Sequence, residues 1–223
     1  METARIAELL APFTTPADLS PGILAQLQSY LDLLLRWNAR MNLTAVRDPE
    51  QVVTRHFGES LFAARVLLGE NADNAELKLA DVGSGAGFPG IPMKLFAPEV
   101  ELTLIESQSK KATFLREVIR TLGLKRVSIF CGRAEQWNKT ADLVTLRAVE
   151  QFERALPVVA RLVAGRGKLC LLVGAGQVPL ARQILGATWE WQAPDVVPRT
   201  NGRVVMVGRR SESAILLPFG RFE

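Results

Sequence analysis

Four glycines crowd into eight residues of the stretch Asp81-Val-Gly83-Ser-Gly85-Ala-Gly87-Phe-Pro-Gly90, directly after the apolar run LKLADV. Glycine reaches positive φ without penalty and leaves no Cβ between the backbone and an approaching group. A strand that runs into such a turn, with a helical pattern beyond it, is how α/β proteins bind nucleotide-bearing ligands at the carboxyl end of a sheet. The turn therefore predicts an α/β fold with a ligand cleft. It is expected at the surface, with Gly83 and Gly85 beside the ligand.

The spacing narrows the ligand. A dinucleotide fingerprint reads G-x-G-x-x-G, the third glycine letting the helix pack beneath a pyrophosphate. Counted from Gly83, that third position is Phe88. The stretch reads instead D-x-G-x-G-x-G, the opening of methyltransferases of this architecture, whose ligand carries an amino-acid end and a sulfonium. Asp81 can answer either positive group and would be a poor neighbour for a pyrophosphate. Glu106 closes the next strand, about twenty residues on, where a carboxylate accepts hydrogen bonds from ribose hydroxyls. After the third strand, Gly132-Arg133-Ala134-Glu135 sets backbone groups at an adenine edge, with Glu135 anchoring the turn. An NAD-dependent oxidoreductase is the weaker competing reading.

Before the loop the chain reads as helical. Ile23, Leu24, Leu27, Tyr30, Leu31, Leu34 and Trp37 recur at helical steps behind Ser20 and Pro21, an N-cap followed by a proline in the first turn. Residues 38–48 lack a period and read as a loop. A second amphipathic stretch runs from Pro49 to Leu68, with Val52, Val53, Phe57, Leu61 and Ala64 on one side. The polar segment 69–76 separates a helical extension, 1–70, packed on the core, from a ligand-binding domain, 71–223. There, strands at 77–83, 101–106, 126–132, 142–148, 168–174 and 203–210 alternate with helical patterns, which argues for a doubly wound, mostly parallel sheet.

Composition sets the remaining bounds. A chain of 223 residues, 48% hydrophobic, has ample material for such a core. No apolar run approaches the ~20 residues that span a bilayer. The first residues lack the layout of a signal peptide, so a cytoplasmic location is expected. One histidine and two distant cysteines, Cys131 and Cys170, rule out a Cys/His zinc site by count and argue against a disulfide scaffold. Both cysteines are expected as small buried residues of strands. The net charge of +4 is compatible with an RNA substrate.

Five blocks, NLTAVRDPEQVVTRHFGESL (42–61), DVGSGAGFPGIP (81–92), LIESQSKKATFLREV (104–118), GRAE (132–135) and TLRAV (145–149), together resemble the RsmG family, also called GidB. The resemblance implies methyl transfer from S-adenosylmethionine to N7 of a guanine in 16S rRNA, near the decoding centre. It also implies a class I, Rossmann-like methyltransferase fold, a seven-stranded mostly parallel sheet with an N-terminal helical extension. Cofactor contacts carried over are Gly83, Phe88, Ala134, Glu135 and Arg147. Three positions depart from the family pattern. Glu59 stands where Asp is usual, Leu146 where Ser precedes Arg147, and Val173 where several relatives carry Lys.

Guanine N7 presents an in-plane lone pair on the major-groove edge and has no proton to lose. The enzyme's task is then placement and electrostatics, with direct in-line attack and no required general base. The sequence agrees, having neither the D/N-P-P-Y/F tetrad of amine methyltransferases nor a Pro-Cys or Thr-Cys nucleophile. Arg133, Arg147 and Arg203 are the substrate-positioning candidates, joined by Asn42, Arg55 and His56. Arg133 and Arg147 lie at strand carboxyl ends, whereas Arg203, at the start of a reversed last strand, qualifies by the resemblance. His56 is read as a structural or RNA-contacting group, and Trp37 and Phe57 as packing residues. The expected partner is 16S rRNA, alone or within the small subunit, for a monomer with no metal and no membrane contact. The alternative from another class is a non-catalytic S-adenosylmethionine- and RNA-binding module, against which the intact loop, Glu106 and Arg147 argue.

Overall fold

The computed structural model describes residues 1–69, 76–147 and 151–211. Helices α1 (Thr3–Leu10) and α2 (Pro21–Asn38) come first. Helix α2 begins as its sequence dictates: Ser20 Oγ accepts from Ile23 N at 3.3 Å, and Pro21 occupies the first turn. Its stripe buries Leu27, Tyr30, Leu31 and Leu34. Trp37 lies edge-on to Phe114, a packing residue as expected. Asn38 ends the helix and spans the following loop. Its Oδ1 accepts from Leu43 N and Thr44 N, and its Nδ2 donates to Thr44 O and Val46 O.

Helix α3 (Pro49–Val52) passes through a π-helical turn (Val53–Gly58) into α4 (Glu59–Leu68). The anticipated face, Val52 through Leu68, is buried. The π turn has no sequence signature. Within it Glu59 N donates to His56 O instead of Arg55 O, its α-helical acceptor, which leaves the Arg55 carbonyl to a donor from outside the helix.

Five parallel strands follow: β1 (Lys78–Val82), β2 (Glu101–Glu106), β3 (Val127–Cys131), β4 (Ala141–Arg147) and β5 (Val163–Gly174). They alternate with α5 (Gly90–Phe96), α6 (Ser109–Thr121) and α7 (Phe152–Arg161). After β5 come α8 (Val178–Leu185), β6 (Trp189–Trp191), β7 (Asp195–Val196) and β8 (Arg203–Arg210). The sheet order is β3-β2-β1-β4-β5-β8-β6, with the two-residue β7 also paired to β8. Strands β6 and β7 share one edge of β8, so the path carries seven positions as the family resemblance implied. Strand β8 is reversed, and its register Gly174↔Arg203 brings Arg203 to the carboxyl end of the parallel strands.

Strand β5 starts before the expected residue 168, pairing Ala141 with Val163 across a register shift. Helix α8 and strands β6 and β7 are not among the elements the sequence predicts. Helix α8 did carry signals, Pro179 in its first turn and Gly186 at φ 60° closing it. Successive residues of each strand face opposite layers. Leu79 and Leu104 join Ile6, Tyr30, Phe57 and Phe114 in one buried cluster, while Ala80 and Val144 join Leu156, Leu171 and Met206 in the other. The N-terminal helices thus cover one face of the sheet. Of the joint at 69–76, all but Gly69 and Glu76 lies outside the described residues, as do 148–150 and 212–223.

Cys170 is buried in β5, but Cys131, expected to be buried too, is exposed. It is the last residue of β3, the edge strand, where no neighbour covers it. Among the described residues no helix is long and apolar enough to cross a membrane. Among them, too, no group of three or more His, Cys, Asp or Glu side chains could hold a metal.

Candidate active site

The turn after β1 is stitched to β2. Gly83 N and Ser84 N both donate to Ile105 O, and Gly85 N donates to Glu106 Oε2 at 2.8 Å. Gly83, Gly85 and Gly87 have φ of 68°, 58° and 94°, conformations that favour glycine. The turn is more enclosed than a surface turn: Gly83 is exposed and Gly85 half-buried, but Ser84 and Ala86 through Gly90 are buried. Asp81 explains much of this. It is fully buried, its Oδ2 accepts from Gly90 N at 3.1 Å, and its Oδ1 accepts from Thr145 Oγ1 at 2.9 Å. Burial pushes its carboxyl up to about 6, although the bonds from Thr145 and Gly90 pull the other way. These bonds tie Asp81 to the start of α5 and to β4, and it is not among the residues that line the cleft.

That cleft, of about 400 Å³, opens at the carboxyl ends of β1 to β4 and is lined by Gly83, Ile105, Arg133, Ala134, Glu135 and Leu146, among others. It lies within the size range of small-molecule sites. Gly83, Arg133, Ala134 and Glu135 therefore meet as anticipated. Glu106 accepts from Gly85 N and Gln108 N, which leaves each oxygen a lone pair for a ribose hydroxyl. A glycine at the mouth, apolar walls and two carboxylates nearby fit the S-adenosylmethionine that the resemblance implies. Val173 is buried in the sheet and pairs with Val204 of β8.

Phe88 does not line this cleft. Its ring lies between Tyr30 and His56, with centroids 5.4 and 4.7 Å away and planes inclined by 19° and 20°. Only its backbone is left to meet a cofactor. The Tyr30 hydroxyl donates to Ala86 O.

Beside this stack stands Arg147, at the end of β4, its side chain 9% exposed. Its Nη2 donates to Glu59 Oε2 at 3.0 Å and to the released Arg55 carbonyl at 2.6 Å, and lies 3.2 Å from His56 Nδ1. Arg203 Nε meets the same Glu59 Oε2 at 3.0 Å, so two guanidiniums share one oxygen of a carboxylate that is 2% exposed. Burial lowers Arg147 to about 10 while Glu59 opposes the shift, so the group stays charged at neutral pH. His56 Nε2 faces Thr44 Oγ1 at 2.8 Å. Of the substrate candidates, Arg147, Arg203 and His56 converge here. Arg55 lends its carbonyl and keeps an exposed side chain. Asn42 stays outside, exposed and accepting from Arg47, and Thr44 takes the place beside His56.

The family model for rRNA small subunit methyltransferase G, GidB, matches residues 23–185, from α2 to the end of α8. The chain belongs to this family. The methyltransferase G of Xylella fastidiosa (strain 9a5c) is 43% identical over 152 residues, 67% of this chain and 68% of that protein. The methyltransferase G of Aquifex aeolicus is 41% identical over 136 residues, 61% and 69% of the two chains. Solved structures of low identity share the fold. The ribosomal protein L11 methylase of Lactobacillus delbrueckii has a TM-score of 0.57 at 14% identity, covering 70% of this chain and 78% of that one. TYW2 of M. jannaschii, solved in complex with AdoMet, has a TM-score of 0.54 at 17% identity, covering 69% and 75%.

Within this chain, sequence reasoning missed Tyr30, Asn38, Thr44 and Thr145, and met Glu59 only as a departure from the family pattern. Tyr30 looked like one more residue of a helical stripe, and nothing local reports that its hydroxyl grips a glycine loop 56 positions away. Tyr30→Phe keeps the ring stack but removes that donor. It is expected to cost about 1 kcal/mol of stability and to weaken S-adenosylmethionine binding several-fold, with RNA affinity unchanged. Denaturant unfolding and calorimetric titration check this, and an unaltered midpoint together with unaltered affinity would reduce the interaction to packing.

Proposed function

We propose that the protein transfers a methyl group from S-adenosylmethionine to N7 of a guanine in bacterial 16S rRNA, in the cytoplasm and without a general base. Membership of the methyltransferase G family makes it an S-adenosylmethionine-dependent methyltransferase of small-subunit rRNA. The choice of guanine N7 rests on one observation, Arg147 and Arg203 held on a single carboxylate oxygen beside the glycine loop. Guanidiniums only donate hydrogen bonds. Next to N7 guanine offers a second acceptor, O6, where adenine presents an amino group. Fixed donors therefore favour guanine and leave the N7 lone pair free. When bound, S-adenosylmethionine supplies an electrophilic methyl on its sulfonium. His56 is a poor base, because both ring nitrogens are engaged, by Thr44 and by Arg147.

Mass mapping of modified nucleosides in 16S rRNA from a deletion strain tests the reading. One 7-methylguanosine should disappear and return with the plasmid-borne gene. Loss of a different modified nucleoside, with every 7-methylguanosine intact, overturns the choice of base.

Arg133 and Arg55 expose their side chains on either side of this centre. Replacing either with Ala should weaken RNA binding and flatten its log–log salt slope by about 0.7 to 0.9, the share of a single phosphate neutralised by one cation. S-adenosylmethionine affinity should not change in Arg55→Ala, whereas Arg133 lines the cofactor cleft and its replacement should weaken that affinity as well. Filter binding at several salt concentrations reads the slope, and an unchanged slope in both variants would remove them from the RNA interface. Arg203→Ala should behave differently, since it also strips Glu59 of a partner.

A further inference from the structure

A reaction that needs no base leaves the chain's single histidine without a chemical task. Yet His56 stands at the crossing of three elements. Its Nδ1 lies 3.2 Å from Arg147 Nη2, and because a guanidinium only donates, a hydrogen bond between the two is accepted at Nδ1. The ring proton then sits on Nε2 and is donated to Thr44 Oγ1 at 2.8 Å. Thr44 Oγ1 also accepts from Val46 N at 3.1 Å, which accounts for both of its lone pairs and agrees with a donor at Nε2. Stacking on Phe88 fixes the plane of the ring.

We infer that His56 is a positioning residue for methyl transfer: a neutral ring, protonated on Nε2, that orients the Arg147 guanidinium through Nδ1 and ties it to the 39–48 loop through Thr44. Arg55 O, Glu59 Oε2 and Nδ1 surround Nη2 and share its two hydrogens. Among the described residues Nη1 makes a single 3.5 Å approach, to Ser60 Oγ, which leaves it able to donate to the substrate base. The groups facing the ring allow no second proton. Arg147 from β4, Arg203 from β8 and Arg55 from its own turn are positive, Glu59 is the carboxylate among them, and Phe88 and Thr44 are neutral. Burial first, then these three guanidiniums, hold the imidazole down to about 3, against the opposing effect of the Arg55 backbone. The inference rests on Arg147 facing the substrate, as in the function proposed above.

With one histidine in the chain, long-range proton–nitrogen spectra of the full-length, RNA-free protein report this ring alone. The expected result is an unprotonated Nδ1, a protonated Nε2 and no titration between pH 5 and 8. In single-turnover assays at saturating RNA and cofactor, His56→Phe keeps the stack and loses both hydrogen bonds. Its rate should fall about tenfold or more with little change in KM. His56→Asn, whose Oδ1 can replace the Nδ1 acceptor, should recover most of that rate. A protonated Nδ1, a ring that titrates in that window, a His56→Phe enzyme as fast as wild type, or no recovery in His56→Asn would each overturn the inference. The spectra need no variant and no RNA. Failure of the guanine reading, seen in the nucleoside map, is therefore told apart from failure of this one.

Discussion

Glu59→Ala is expected to lower the free energy of unfolding by about 3 kcal/mol, and with it to abolish methyl transfer. The side chain is 2% exposed and its Oε2 receives both Arg147 and Arg203. Alanine leaves the Arg147 guanidinium, itself 9% exposed, buried without its ion-pair partner, the Asp81 carboxylate acting on it only through space. The cost comes from that stranded charge more than from the missing attraction, as is usual when one partner of a buried pair is removed. Arg203, with 29% of its side chain exposed, can turn to water and should add little. For a chain of this length the loss corresponds to a melting temperature lower by roughly 6 to 12 °C. Calorimetry or denaturant unfolding measures it. The double variant Glu59→Ala with Arg147→Ala should be less unstable than the sum of the two singles, because the stranded charge is gone. A Glu59→Ala protein within about 0.5 kcal/mol of wild type would show the carboxylate to be dispensable to the cluster.

Gly85→Val is expected to abolish S-adenosylmethionine binding while the protein still folds. A Cβ at this position meets nothing nearer than Gly83 O at 3.8 Å, so the protein itself leaves room. The obstacles are the φ of 58°, which a β-branched residue adopts at a cost of about 1 to 3 kcal/mol, and a side chain added at the half-buried turn beside the cleft. A backbone that relaxes away from positive φ also moves the Gly85 N–H off Glu106 and loosens the carboxylate assigned to the ribose. Two residues on, the same kind of change acts differently. A Cβ on Gly87 would lie 2.5 Å from the Tyr30 hydroxyl and 2.6 Å from Ile91 Cδ1, so Gly87→Ala should damage the fold as well as the site. Calorimetric titration of the soluble Gly85→Val protein decides the matter. Retained micromolar binding would mean that the loop does not hold the cofactor.

Much of the architecture was legible because it follows from short-range rules. Ser20 and Pro21 start α2 through one accepted hydrogen bond and one preset φ. The glycine turn announces a strand before it and a helix after it. Alternating strands and helices require parallel pairing, since a parallel neighbour can be reached only by a crossover. The order of the strands and the reversal of β8 are non-local; the reversal was expected from family resemblance, and the order came only with the structure. The short β6 and β7 escaped because two or three residues carry no measurable period.

The chemistry of the centre was decided in three dimensions. On the sequence Glu59 is an ordinary helix carboxylate, Tyr30 an apolar-stripe residue and His56 a lone histidine with no visible partner. A carboxylate can be buried only where cations or hydrogen-bond donors meet it, and for Glu59 they are cations from the ends of β4 and β8, far along the chain. The same crossing turns Asp81 inward to hold Gly90 and Thr145, because a fully buried carboxylate must find donors wherever the packing offers them. Propensity and periodicity act over a few residues. The desolvation of charges is set by every atom within reach, so the sequence by itself specified the cofactor loop and the class of fold, and the tertiary structure alone determined how Glu59, His56, Arg147 and Arg203 are held around it.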